Sequence, residues 1–224
     1  MCGRYTLTKT DPPTLIRRFG LPDVDLAEPA RYNIAPTDRV LTVRESEAGT
    51  REAVRVRWGL LPQRDIGIER PLINARAETL AERPLFRELL RKRRCLVPAD
   101  GFYEWRSTPT GKRPVWISLA DGEPFAFAGI WTERRREGTR PVQSCAIVTC
   151  SPNELIAPVH DRMPVILAPA AEGEWLAADR GPDQLTELLR PYPADALAMR
   201  EVGKAVNDIA EDGPHLLEPP LRLF

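Results

Sequence analysis

RVLTVRE at residues 39–45 and AVRVRW at residues 53–58 alternate apolar with polar or charged side chains, and that two-residue period decides how the chain folds. It is the signature of a strand buried on one face, whereas an amphipathic helix repeats near every 3.6 residues. Outward from this pair, strand-like runs recur at 95–98, 101–106, 115–119, 125–131 and 142–149, separated by Gly, Pro and Asp. Residues 1–8 and 197–202 read as two further short strands. Helices are fewer. Asp11-Pro12-Pro13 opens one through Leu15, Ile16 and Phe19, with Gly20 as its stop. Ala81–Arg94 has helical character and a basic end, and two more helices are expected near 169–178 and 182–190. Many antiparallel-looking strands with peripheral helices predict an α+β fold: a single domain over 1–224, built on a barrel-like, mostly antiparallel β-sheet.

A chain of 224 residues can bury one sizeable core without disulfides, and 42% apolar with 29% charged side chains excludes a wholly disordered chain. No apolar run approaches the roughly 18 residues of a membrane span, and the first ten residues hold no secretory h-region. A cytoplasmic monomer is therefore expected, with Cys2, Cys95, Cys145 and Cys150 as reduced thiols. No Cys-x-x-Cys pair occurs and there are only two histidines, so no metal is expected. Walker and dinucleotide-binding patterns are also missing, so no cofactor is expected. The 23 prolines are spread throughout and mark loops, not a linker.

Charge sums to zero but is unevenly placed. Residues 51–113 carry 15 Lys/Arg against 8 Asp/Glu, and residues 151–224 carry 6 against 13. Such asymmetry fits a basic face for a polyanion, although surface charge blocks are common and most of these cations are arginine.

Cys2 follows the initiator methionine. Removal of Met1 leaves an α-amine and a thiol on adjacent carbons. The amine titrates near pH 7.7–8.0, so roughly a tenth is neutral at pH 7. A deprotonated thiol is a strong nucleophile. The pair suits an aldehyde, because the amine forms an imine and the sulfur closes on its carbon to give a five-membered thiazolidine. A second-position cysteine alone is usually inert.

MCGRY (1–5), RYNIAPT (31–37), RWGLLP (57–62), INARAET (73–79), RCLVPADGFYEW (94–105), TCSPNELIAPVHDRMPVIL (149–167) and VGKAVNDIAEDGPHLLEP (202–219) follow one another. Their content and order resemble the SOS response-associated peptidase family, the abasic-site processing proteins, from residue 2 to about 219. The resemblance implies a shield for abasic sites in single-stranded DNA, whose ring-opened sugar exposes an aldehyde that the leading cysteine traps as a thiazolidine. It also implies autolytic release of whatever precedes that cysteine, here Met1.

Asn74 and Arg76 are two apart, so an extended backbone sends both to one face. By resemblance Asn74 hydrogen-bonds cysteine and sugar, and Arg76 holds a phosphate with its guanidinium fork. Glu104, among the aromatics of GFYEW, is the implied acid/base; partial burial raises a carboxyl's pKa toward such a role. His160, in PVHDRMP, is implied to protonate the ring oxygen as the sugar opens. Arg4 and Arg162 resemble family phosphate contacts. Trp58 and Trp105 are candidates for base stacking, although core burial is the commoner fate of a strand tryptophan. RKRR (91–94) and RRR (134–136) either extend the groove or are simply solvated, and the roles of Thr149 and Ser151 are open.

Two rivals remain on sequence. Class II glutamine amidotransferases also begin Met-Cys-Gly, but their oxyanion-binding Asn-Gly element has no counterpart, since no Asn-Gly dipeptide occurs here. A non-covalent reader of single strands or modified bases would not need Cys2.

Overall fold

The computed structural model describes residues 3–22, 26–46, 48–63 and 71–220. The alternating pair forms the expected hairpin, β3 (Arg39–Glu45) against β4 (Arg51–Trp58), in register from Arg39↔Arg57 to Glu45↔Arg51. β3 also pairs with β6 (Arg94–Ala99), β6 with β9 (Phe125–Arg134), and β9 with β10 (Val142–Cys150), all antiparallel. β10 then runs parallel to β4 through Ser144↔Arg57 and Cys145↔Trp58. Five strands thus close on themselves, which removes the exposed edges of an open sheet. Three short strands attach to the ring: β5 (Asn74–Arg76) and β11 (Met163–Pro164) on β10, and β12 (Ile166–Leu167) on β9.

A second, antiparallel sheet has the order β13-β8-β7-β1-β2, from Leu197–Glu201, Gly111–Leu119, Gly101–Thr108, Tyr5–Leu7 and Arg31–Ile34. Its inner face meets the barrel through aromatic edges, Tyr5 on Trp58 at 5.3 Å and Phe102 on Phe127 at 6.0 Å between centroids. Its outer face carries a smaller cluster, Tyr103, Val202, Val206 and Leu216, with Trp105 and Trp116 beside it. The architecture is α+β, as expected.

α1 (Pro12–Phe19) begins on the Asp11 cap and ends at Gly20 in the left-handed region, as its sequence predicts. The run expected over Ala81–Arg94 divides. α2 (Ala77–Leu80) is a single turn, α3 (Pro84–Lys92) is the helix proper, and Arg94 already belongs to β6. Arg94 is buried and donates to the carbonyls of Leu90, Trp175, Leu176 and Ala177, where α3 and α4 (Pro169–Leu176) end. A cation there answers the negative ends of both helix dipoles. α5 (Pro182–Glu187) follows. Among the described residues no helix is long and apolar enough to cross a membrane.

Candidate functional site

β5 sets Asn74 and Arg76 two residues apart on one extended segment. Ala75 between them is buried, and the strand lies parallel to the end of β10, with Ile147↔Asn74 and Thr149↔Arg76. β11 returns on the other side of the same segment through Thr149↔Pro164. Residues 151–162 therefore form a loop that leaves the sheet at Cys150 and rejoins it at the paired Met163. Asn153 anchors it: its side chain accepts from the Ile156 amide at 3.0 Å and donates to the Tyr192 carbonyl at 2.7 Å, while the Ile156 carbonyl receives the His160 amide at 3.0 Å. His160 is thus carried on a hydrogen-bonded turn. Its Nδ1 accepts from the Arg162 amide at 2.9 Å and lies 2.8 Å from Asp161 Oδ1.

Arg162 is more a strap than a free cation. Its terminal nitrogens grip the Glu78 carboxylate at 2.7 and 2.8 Å, and one also donates to the Thr149 carbonyl at 2.6 Å. That fork holds the Glu78 carboxyl below its usual range. Glu78 fills the fork, and Arg162 joins α2, β10 and the His160 loop.

Glu104 lies on β7 and is 2% exposed. Burial pushes its carboxyl pKa up, and the charge of nearby His160 acts in the opposite direction. The register Tyr5↔Phe102 and Thr6↔Gly101 continues as Tyr103 donates its amide to the Arg4 carbonyl at 3.0 Å. Its next step sets Gly3 across from Glu104. Cys2 lies outside the described residues. The strand that leads back toward it is clamped by buried Asp100, which accepts from Thr6 Oγ1, the Thr8 amide and hydroxyl, and the Lys9 amide at 2.5–2.9 Å.

Three other expectations fare differently. Trp58 is no base platform: it is wholly enclosed against Tyr5 and donates Nε1–H to the Ile73 carbonyl at 2.9 Å. Trp105 alternates with Glu104 along β7, faces the outer cluster and donates to Asn207 Oδ1 at 2.8 Å, so it too is placed away from the Glu104 face. Arg4 shares that outer face with Tyr103 and donates to Asn33 Oδ1 and the Val206 carbonyl, both at 2.8 Å. Arg76 is exposed and, with Asn74, Arg83 and Thr149, lines a cavity of about 670 Å³. The basic runs break up. Arg94 is internal, Arg93 and Arg44 cover the two-ring face of Trp131 at 4.4 and 4.1 Å, and Arg135 pairs with Glu133.

Burial pushes the thiols of Cys95 and Cys150 up to about 12, and that of Cys145 well up too, so none of these is a ready nucleophile. Among the described residues no cluster of three or more His, Cys, Asp or Glu could hold a metal ion. Glu78, Asp100 and Asn153 escaped the sequence reading. All three stand inside quoted motifs, but only the folded contacts show what they hold.

The geometry has close relatives. The sequence profile of the SOS response associated peptidase (SRAP) family matches residues 1–209. Abasic site processing protein YoqW of Bacillus subtilis is 41% identical over 97% of this chain and 99% of its own length, and YedK of Escherichia coli is 31% identical over 98% and 100%. Among solved structures, a Bacteroides thetaiotaomicron protein superposes with a TM-score of 0.85 at 26% identity, covering 98% of this chain and 100% of that one. A phage-related protein of Bordetella bronchiseptica gives 0.71 at 31%, covering 92% and 98%. Motif order and the barrel agree with these matches: the chain belongs to the SOS response associated peptidase family.

Proposed function

We propose that this protein captures abasic sites in single-stranded DNA as a covalent thiazolidine on Cys2, after Met1 has left. What carries the reading is the β1–β7 register, which leads the start of the chain to a buried carboxyl under the influence of His160. The relatives named abasic site processing proteins support it.

His160 helps open the cyclic sugar by protonating its ring oxygen, exposing the aldehyde. The neutral amine of Cys2 adds to that carbon to give a carbinolamine. Glu104, whose hold on its proton burial strengthens, delivers that proton to the departing hydroxyl and takes one back from nitrogen, so water leaves as the imine forms. The Cys2 sulfur then adds to the imine carbon while its proton passes to nitrogen, closing the ring. One water is released overall and no redox partner is needed. Asn74 orients the reacting atoms, and Arg76, exposed at the mouth of the cavity, holds the adjoining phosphate.

The test is the mass of the product after mature protein meets an abasic oligonucleotide. A denaturation-resistant adduct lighter by one water than its two components is expected, and Cys2→Ala should give none. An adduct of undiminished stability in Cys2→Ala would exclude the thiazolidine. Ammonia released from glutamine, without an adduct, would favour the amidohydrolase.

A further inference from the structure

We propose that α3 is a phosphodiester track: Arg83, Arg87 and Arg91 guide the strand that leaves the abasic sugar past Arg76 and along the helix. The proposal rests on the function inferred above, which supplies the strand. Arg83 lines the same cavity as Asn74, Arg76 and Thr149. Pro84 is shared between that cavity and a second hollow of about 330 Å³ bordered by Arg87, Glu88, Arg91 and Lys92. The two hollows therefore adjoin at Pro84, and a strand held at Arg76 can pass from one to the other along the helix.

The three arginines are spaced four residues apart and are all exposed, while Phe86, Leu89 and Leu90 bury the opposite side of α3. Four residues of helix rise about 6 Å, close to the separation of successive phosphates in a stretched single strand. None of the three forms a salt bridge among the described residues. Their charge is therefore available to a polyanion.

Helix stability does not account for them. Arg91 and Lys92 suit the last turn, where cations favour the dipole, but Arg83 occupies the N-cap, where a cation is unfavourable. Arg83 makes no capping bond, and the first turn contains no acid. A Ser or Asp at position 83 would serve the helix better. A local preference broken at the N-cap, beside the cavity that holds Asn74, points to a ligand rather than to folding.

The experiment uses the full chain and two oligonucleotide sets, one abasic and one undamaged, extended stepwise on either side of the central position. For single strands each lost phosphate contact flattens the slope of log affinity against log salt by about 0.7, so Arg83→Gln/Arg87→Gln/Arg91→Gln should flatten it by about 2. The loss should appear only with strands extended on one side. Glu88→Gln, which removes an acid from the same ridge, should tighten binding to those strands. An unchanged slope in the triple variant, or an equal loss with short and long strands, overturns the track. Wild-type protein that shows the slope difference on undamaged strands but never crosslinks supports the track and overturns the abasic reading, so the two fail separately.

Discussion

Glu104 carries its burial as a proton affinity. Its folded pKa lies above the ordinary carboxyl range, so the native state binds a proton more tightly than the unfolded chain. The stability it contributes is full below the ordinary carboxyl pKa and falls as pH climbs through the raised one. Glu104→Gln should therefore melt higher than wild type at about pH 8, with the advantage shrinking toward about pH 4, as thermal denaturation at both values will read. The same variant should crosslink roughly 100-fold more slowly in single-turnover assays while keeping its DNA affinity. The thiols divide in the same residue-level way. Cys95, Cys145 and Cys150 are buried and hold their protons. A thiol reagent should label one cysteine, Cys2, in the native protein and all four after denaturation; rapid native labelling of a second would contradict their burial.

At the scale of elements, the clamp on β1 and the crossing at β7 are the sensitive points. Asp100→Ala strands donors from Thr6, Thr8 and Lys9, and hydrogen bonds to a charged group contribute about 1.5–3 kcal/mol apiece. Urea denaturation should show a loss of about 3 kcal/mol or more, with crosslinking slowed as well because the leading strand loses its anchor. Gly101 is also constrained, since a Cβ there would sit 2.3 Å from the Trp116 ring. Gly101→Ala should cost about 1–3 kcal/mol in the same measurement. The longer elements were legible because their patterns extend over enough residues to show a period: β3, β4 and the strands from β6 to β10. β5, β11, β12 and α2 are two to four residues long, too short for any period, and exist because β10 and its neighbours template them. The end of α3 was misplaced because RKRR reads as a helix terminus, whereas Arg94 is drawn inward to the carbonyls of α4.

For the whole molecule, zero net charge hides a basic stretch, 51–113, whose members meet different fates. Arg94 goes inside, Arg93 stacks on Trp131, and Arg76, Arg83, Arg87 and Arg91 stay exposed. Composition gave the asymmetry but not this sorting, because one-dimensional charge counts are blind to which side of a helix faces the core. Trp58 and Trp105 show the same limit. Both stand on strands among motif residues, yet Trp58 is enclosed and Trp105 half-buried on the outer face. Arg162 was legible as a site neighbour, but its grip on Glu78 depends on the approach of two distant segments. Reversible binding to undamaged single strands should be weak and fall steeply with salt, with permanence supplied only when an aldehyde is present; salt-resistant tight binding to undamaged DNA would contradict this.

β1 is an interior strand of its sheet, with β7 on one side and β2 on the other. A protein joined to DNA through its leading residue is thus tethered by a strand laced into the sheet from both edges and not by a loose tail. Force exerted along the nucleic acid, as when a translocating machine meets the adduct, is delivered straight into the folded body. Dislodging the obstacle mechanically then requires tearing the second sheet apart, and extraction should begin at the very end that holds the lesion.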